Sequence, residues 1–300
     1  MPRYFVAPVS FGLGDLVVSL PVIQAVVNRS HGIKGETWLV ARSHAQRALA
    51  ERIPGLIGVV DEGFLTTGRS DELIDLRDHP LQRDYWWGSP EFEAAVGPMF
   101  INEIVGRIAA DFGIIADFSA PVPLYARPRL DAADLVILVA DAHGTAKQWP
   151  TECWVSLTAR LRQAGFGVAA ITQGRPDHHL VAKGVAEIAA STPGDAVDVL
   201  SGCRAVIGVD TGLTHIAVQQ GTPAVTISRK PAVYYREWAH TRLVAGTFCD
   251  PGCERAENEY GQKQRARLDP DAPPRVCPSR ASCLRAIGPD TVMKALEELC

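Results

Sequence analysis

Gly208-Val209-Asp210-Thr211-Gly212-Leu213-Thr214-His215-Ile216-Ala217, followed by Gly221-Thr222-Pro223, is the stretch from which the fold is read. The apolar run before Asp210 predicts a strand over 205–209, residues 214–220 predict a helix, and 224–227 predict the next strand. A tight glycine turn joins the first strand to the helix. The opening amides of a helix lack internal partners and add to the helix dipole, so such a turn favours an anion. Gly212 lets a phosphate approach closely, the Leu213 amide faces the same turn, and Thr211 and Thr214 offer hydroxyl donors. His215 stands in the same opening turn, and Asp210 is suited to orient the loop or bind a ribose or sugar hydroxyl. A plain strand–turn–helix with Asp or Thr as its N-cap would use the same residues.

Working outward, the same grammar recurs. In the second half, strands are expected over 135–140 and 168–172, and helices over 152–164 and 179–190. In the first half, a strand over 4–8 leads through Ser10-Phe11-Gly12-Leu13-Gly14 into one helix reaching Val27, with Pro21 inside it as a bend. A strand over 37–41, a helix over 45–52, short strands over 56–60 and 72–76, and a helix over 100–112 follow. Pro121, Pro123 and Pro128 mark the join between the halves. Such alternation implies parallel sheets with helices on both faces, and ligands binding at the carboxyl ends of the strands. The 300 residues exceed one comfortable core. Two Rossmann-like, doubly wound domains are therefore expected, 1–128 and 129–288, with a closing helix in 289–300.

Composition excludes several classes. The chain is 47% hydrophobic with a net charge of −4, which suits a globular enzyme and gives no basic excess for nucleic acid. No apolar run approaches the about 18 residues needed to span a bilayer. Residues 1–10 read as a strand and not as a signal peptide, so a cytoplasmic protein is expected, with the inner-membrane surface as one place to meet an acceptor. No Gly-x-Gly-x-x-Gly fingerprint follows a strand, which argues against a dehydrogenase.

Three further segments carry chemistry. Gly12-Leu13-Gly14-Asp15-Leu16, with Pro21 after it, places a carboxylate at the mouth of the first helix. Such a carboxylate is an N-cap or, ionised and facing a cleft, a general base. Ala142-His143-Gly144-Thr145-Ala146-Lys147-Gln148-Trp149-Pro150 follows a strand; Lys147 is a point charge suited to phosphate, with Thr145 and the Gly144 amide as further donors. Gln173-Gly174-Arg175-Pro176-Asp177 is either a nucleoside-reading loop or a simple turn.

The first two of these segments and the 208–217 stretch resemble glycosyltransferase family 9, the heptosyltransferases. The 208–217 stretch is similar to that family's donor-phosphate signature, the opening matches its Gly-Asp-x-x-x-x-x-Pro pattern, and Lys147-Gln148-Trp149-Pro150 matches its Lys-x-Trp-Pro element. The resemblance implies a GT-B fold, with two Rossmann-like domains facing a central cleft. It implies an inverting transferase with Asp15 as base and Lys147 against the donor phosphates. The donor would be a nucleoside-diphosphate sugar, ADP-heptose by family default, and the acceptor a hydroxyl of lipopolysaccharide, another glycan or a protein. In the family an acidic residue near Gly174 bonds the ribose; here Arg175 and Pro176 intervene, leaving Asp177 as the candidate. The N-terminal half would bind acceptor, through Gly14, Asp78, His79, Trp86 and Trp87; aromatic faces stack on sugar rings, although a loop packing its tryptophans inward has the same composition. Two rival readings stand beside this one: a nucleotide-sugar epimerase on the same architecture, and a non-catalytic, metal-held binding or assembly protein.

Cys249, Cys253, Cys277 and Cys283 fall in a polar, irregular stretch over 247–288. Four thiolates suit a structural Zn or Fe centre, which would order such a stretch; free thiols are the alternative. The chemistry itself requires no cofactor on this reading, and the oligomeric state stays open.

Overall fold

The computed structural model describes residues 1–85, 87, 90–142, 147–173, 178–229, 237–246, 271 and 282–300. Two parallel sheets organise them, of four and six strands. The first contains β1 (Arg3–Ala7), β2 (Glu36–Ala41), β3 (Gly58–Asp61) and β4 (Glu72–Asp75), ordered β3-β2-β1-β4. The second contains β5 (Leu135–Val139), β6 (Gly167–Thr172), β7 (Ala186–Ala189), β8 (Ala205–Val209), β9 (Ala224–Ser228) and β10 (Thr241–Ala245), ordered β10-β9-β8-β5-β6-β7. β8 and β9 are buried throughout, as apolar strands covered on both faces must be.

Each sheet is wound both ways from its first strand. β2 and β3 continue on one side of β1 and β4 pairs on the other; β6 and β7 continue on one side of β5 and β8 pairs on the other. Open α/β sheets bind ligands outside the carboxyl ends of their strands at such a reversal. The two reversals therefore lie between β1 and β4, and between β5 and β8.

The helices are α1 (Leu13–Val18), α2 (Leu20–Gly32), α3 (His44–Ala50), α4 (Pro80–Arg83), α5 (Pro90–Val96), α6 (Ile101–Asp111), α7 (Thr151–Gln163), α8 (Pro193–Gly202), α9 (Gly212–Gln219), α10 (Ser282–Arg285) and α11 (Pro289–Glu297). The single bent helix expected after β1 is two helices meeting at Ser19. Pro21 sits in the first turn of α2, where its missing N–H is no loss. The helix expected over 179–190 is a 3₁₀ turn, Val181–Lys183, followed by β7. Gly184 ends the turn at φ +81°, and Ala186–Ala189 then adds in register to β6. The sequence reading also passes over α8 and β10. α8 carries a legible start, for Thr192 accepts the Asp195 amide at 3.1 Å while the Asp195 carboxylate accepts that of Thr192 at 3.0 Å.

One apolar core is continuous between the sheets, with Val6, Val17 and Leu39 in the same cluster as Val139, Ile216 and Val218. A second covers the other face of the second sheet, where α7 packs Trp154 and Leu157, and α11 packs Val292 and Leu296. Residues 114–129 cross between the sheets without a helix or strand. Among the described residues no helix is long and apolar enough to cross a membrane.

Candidate active site

The loop after β1 carries Asp15 into position. One Asp15 oxygen, Oδ2, accepts the Gly12 amide at 2.9 Å, so the residue caps α1. The other oxygen takes no hydrogen bond among the described residues. Two buried residues that the sequence reading did not single out hold this loop. Ser19 donates to the Asp15 carbonyl at 2.7 Å and accepts the Val9 amide at 3.3 Å. Gln46 donates to the carbonyls of Ser10 at 2.8 Å and Gly12 at 3.1 Å.

From the second sheet, β8 runs into Asp210 and the Gly212 turn. Lys147, in the segment after β5, donates to Asp210 Oδ2 at 2.7 Å, which ties the ends of β5 and β8 together across the reversal. His215 Nε2 lies 3.2 Å from the other Asp210 oxygen. Burial raises the Asp210 carboxyl, but Lys147 and His215 outweigh it and hold the group well below the ordinary carboxylate range. Asp210 is therefore an anion that fixes the ammonium of Lys147. Trp149 anchors the same segment: its indole donates to the Ile287 carbonyl at 3.0 Å and meets Trp154 edge-on at 4.9 Å.

Thr211 is extended, with φ −152° and ψ 162°, and its side chain makes no cap bond to α9. The opening amides at Gly212 and Leu213 thus begin the helix without a side-chain cap from Thr211, the condition for receiving an anion. Thr214 behaves differently: it is fully buried, and its hydroxyl donates to the Val209 carbonyl at 2.7 Å. That bond holds the turn and leaves no hydroxyl to offer a ligand.

The two sets meet because α1 packs on α9. A Cβ on Gly14 would stand 3.0 Å from His215 Cδ2, and one on Gly212 would stand 3.0 Å from the Gly14 nitrogen. These glycines let the two helix starts touch. Asp15 consequently feels the charges opposite. Burial pushes its carboxyl up, the Gly12 amide, Lys147 and His215 pull it down, Asp210 pushes it up again, and the net shift is upward. A carboxyl raised in this way is a better proton acceptor once ionised. A fixed cation and helix amides face it where negative charge on a leaving group would be stabilised.

The stretch expected to bind acceptor is used internally in part. His79 Nδ1 accepts the Leu81 amide at 3.1 Å and its Nε2 lies 2.8 Å from Asp111, so it caps α4. Trp87 donates to the Leu81 carbonyl at 2.9 Å. Asp78 is exposed and pairs with Arg83 at 3.2 Å. At the reversal of the first sheet stand instead Asp75 and Arg77, joined by a fork of 2.7 and 2.6 Å, with Glu62 linking Arg77 to Arg42. Arg42 is visible only in the fold, since nothing in its local sequence distinguishes it. Trp86, Thr145, Gly174, Asp177, Cys249, Cys253 and Cys277 lie outside the described residues. Cys283 is buried, at the start of α10 and against Gly246, where an added Cβ would stand 2.6 Å from the Cys283 carbonyl oxygen.

Solved structures share this architecture. A glycosyltransferase family 9 protein from Veillonella parvula superposes with a TM-score of 0.67 at 14% identity, over 99% of this chain and 96% of that one. The E. coli heptosyltransferase WaaC, solved with ADP-2-deoxy-2-fluoro heptose, gives 0.62 at 17%, over 99% and 100%. The iron-containing dodecameric glycosyltransferase TibC from enterotoxigenic E. coli gives 0.66 at 19%, over 99% and 76%. A comparison with curated protein sequences found no match. The two parallel sheets and these likenesses show the GT-B fold. Residues 119–232 match the model of glycosyltransferase family 9 (heptosyltransferase), a span that holds Lys147 and the Asp210 turn. Over that span the chain is similar to the family whose motifs its sequence resembles.

Proposed function

We propose that this chain moves a sugar, heptose by the family's default, from an ADP-linked donor to a hydroxyl of a glycan, lipid-linked glycan or protein, with inversion. One observation carries the reading: the Asp15 loop and the Lys147–Asp210 pair converge from the reversals of two different sheets. In the step, Asp15 takes the acceptor hydroxyl proton as its oxygen attacks the anomeric carbon. The bond from that carbon to the phosphate oxygen breaks, and the diphosphate leaves with the electron pair. Lys147 and the Gly212 and Leu213 amides stabilise the charge arriving on it. Asp210 and His215 hold Lys147 and the opening turn of α9 in place. The ADP-heptose analogue bound to WaaC supports an ADP-linked donor. Cys249, Cys253, Cys277 and Cys283 are offered as ligands of a structural zinc or iron, which elemental analysis of the purified chain tests.

A thermal-shift screen against ADP, GDP, UDP, CDP and dTDP tests the donor site. A ligand at about 100 times its Kd stabilises by roughly 2.7 kcal/mol, a clear rise in Tm. One diphosphate is expected to stabilise the wild type, and Lys147→Ala to lose most of that rise. Absence of any shift in the wild type sinks the reading. Release of nucleotide that depends on added acceptor then separates transfer from epimerisation.

A further inference from the structure

The loop that carries Asp15 rests on a single side-chain amide. Residues 10–15 are partly exposed, whereas Gln46, in the first turn of α3, is fully buried. Its Nε2 donates one N–H to the Ser10 carbonyl at 2.8 Å and the other to the Gly12 carbonyl at 3.1 Å. Its Oε1 accepts the Arg42 amide, in the turn after β2, at 3.1 Å. A backbone N–H only donates and a carbonyl only accepts, so the amide can sit only one way round. Ser43 accepts the Gln46 backbone amide at 3.3 Å, which fixes the start of α3 and the root of this side chain.

The place of the two carbonyls in the chain decides what Gln46 does. The Ser10 carbonyl belongs to the peptide unit that ends at Phe11, and the Gly12 carbonyl to the unit that ends at Leu13. The unit between them, Phe11–Gly12, carries the N–H that Asp15 Oδ2 accepts at 2.9 Å. Peptide units are planar, so this middle one turns only through the dihedrals that join it to its neighbours. With both neighbours pinned by one amide, its N–H is held on the carboxylate. The fit is close, for a Cβ on Gly12 would stand 2.7 Å from Asp15 Oδ2. The Gly12 carbonyl also accepts the Leu16 amide at 3.3 Å, the first turn of α1, so the same clamp sets where that helix begins.

We infer that Gln46 is a positioning residue for Asp15: by clamping Ser10 and Gly12 it keeps the Gly12 amide on Oδ2 and fixes where the base stands. The inference rests on the reading of Asp15 as base given above. A misplacement of about 1 Å can cost on the order of 10²-fold in rate, so the clamp bears on turnover without touching the donor. Lys147, His215 and Asp210 act on the same carboxyl from the other sheet, and the Gly12 amide is what a substitution at Gln46 changes.

The test needs neither donor nor acceptor. It is a ¹³C-carboxyl NMR titration of the full chain labelled at aspartate, with the Asp15 signal identified by its absence in Asp15→Asn. Gln46→Met keeps the length of the side chain and removes its hydrogen bonds. The Gly12 amide is then free to turn away, and the Asp15 midpoint is expected to rise by about 0.5–1 pH unit, part of the worth of a hydrogen bond to a charged group. Ser30→Ala is the control. It removes a buried hydroxyl bonded to Thr37 Oγ1 at 2.8 Å and to the Val27 carbonyl at 2.9 Å, at the opposite end of β2 from Arg42. It should lower Tm and leave the Asp15 midpoint in place. Should Gln46→Met not fold, Gln46→Asn, a methylene too short to reach both carbonyls, is titrated with the same expectation. An unmoved midpoint in a folded variant, or an equal shift in Ser30→Ala, overturns the inference. Turnover of Asp15→Asn judges the base reading separately. If that variant is as fast as the wild type, the base reading falls and this inference with it; a slow Asp15→Asn beside an unmoved midpoint overturns the role of Gln46 alone.

Discussion

Asp15 caps α1 with one oxygen, and the proposed reaction would use the other. Oδ2 caps α1 through the Gly12 amide, while the charge of the group is disfavoured by burial. The sign of the linkage follows. A carboxyl raised in the folded chain contributes most when protonated, and stability is lost as pH rises from its unfolded value through the raised one. At neutral pH the ionised group is therefore a cost. Asp15→Asn keeps an acceptor for Gly12 and removes that charge, so its Tm should equal or exceed the wild type's at pH 7. Its transfer rate should fall by about 10²- to 10⁴-fold, the usual worth of a positioned base. The wild-type kcat/KM should lose activity on the acid side with a midpoint above the ordinary Asp value of about 3.9. A variant that folds as well as the wild type yet keeps more than a tenth of its turnover would remove Asp15 from the chemistry.

At the scale of elements, the decisive contact is α1 on α9, and it depends on two glycines. A methyl on Gly212 meets backbone, the Gly14 nitrogen at 3.0 Å, and also the Leu13 Cβ at 3.0 Å; a methyl on Gly14 meets mainly the His215 ring at 3.0 Å. Backbone cannot step aside as a ring can. Gly212→Ala should thus cost about 1–3 kcal/mol in urea unfolding, the range for overpacking, despite the better helix propensity of alanine. Gly14→Ala should cost less and act mainly on turnover, by moving His215 off Asp210. Equal stability of the two variants would contradict this ordering. The strands and helices of both reversals were legible because their apolar runs and glycine turns are local signals. The pairing of Gly14 with Gly212 was not, because each glycine also suits a phosphate or a cap when read alone. β7 was misread for a related reason: Ala186–Ala189 is too short to show a period, and only its partner β6 makes it a strand. Ser19 and Gln46 stayed unseen because what they hold lies elsewhere in the chain or across a loop.

For the molecule as a whole, what sets the two sheets against each other besides the shared core is a polar bracket around residues 114–129. Gln219 accepts the Val122 amide at 2.7 Å, Gln220 accepts that of Leu124 at 2.8 Å, and Asp198 accepts that of Arg127 at 2.7 Å. Asp198 also takes a fork from Arg52, at 2.8 and 2.9 Å, which joins the end of α3 to α8. Burial alone would raise the Asp198 carboxyl, but the Arg52 fork and the Arg127 amide hold it below the usual range. A lowered carboxyl contributes stability that is full above its unfolded value and is lost as pH falls through the folded one. Asp198→Asn should therefore be less stable than the wild type at pH 7, by about 1–3 kcal/mol for a partly buried, multiply bonded charge, and the gap should close in acid. On the proposed reaction the same bracket would bear on chemistry, since sugar transfer requires that water be kept from the donor. If it fixes the approach of α1 to α9, Arg52→Ala should raise hydrolysis of the donor relative to transfer several-fold while leaving nucleotide affinity nearly unchanged, because Lys147 and the Gly212 turn lie in one sheet. Measuring free sugar against glycosylated product decides it: an unchanged ratio in a variant of lowered Tm would mean that the bracket stabilises the chain without governing closure of the site.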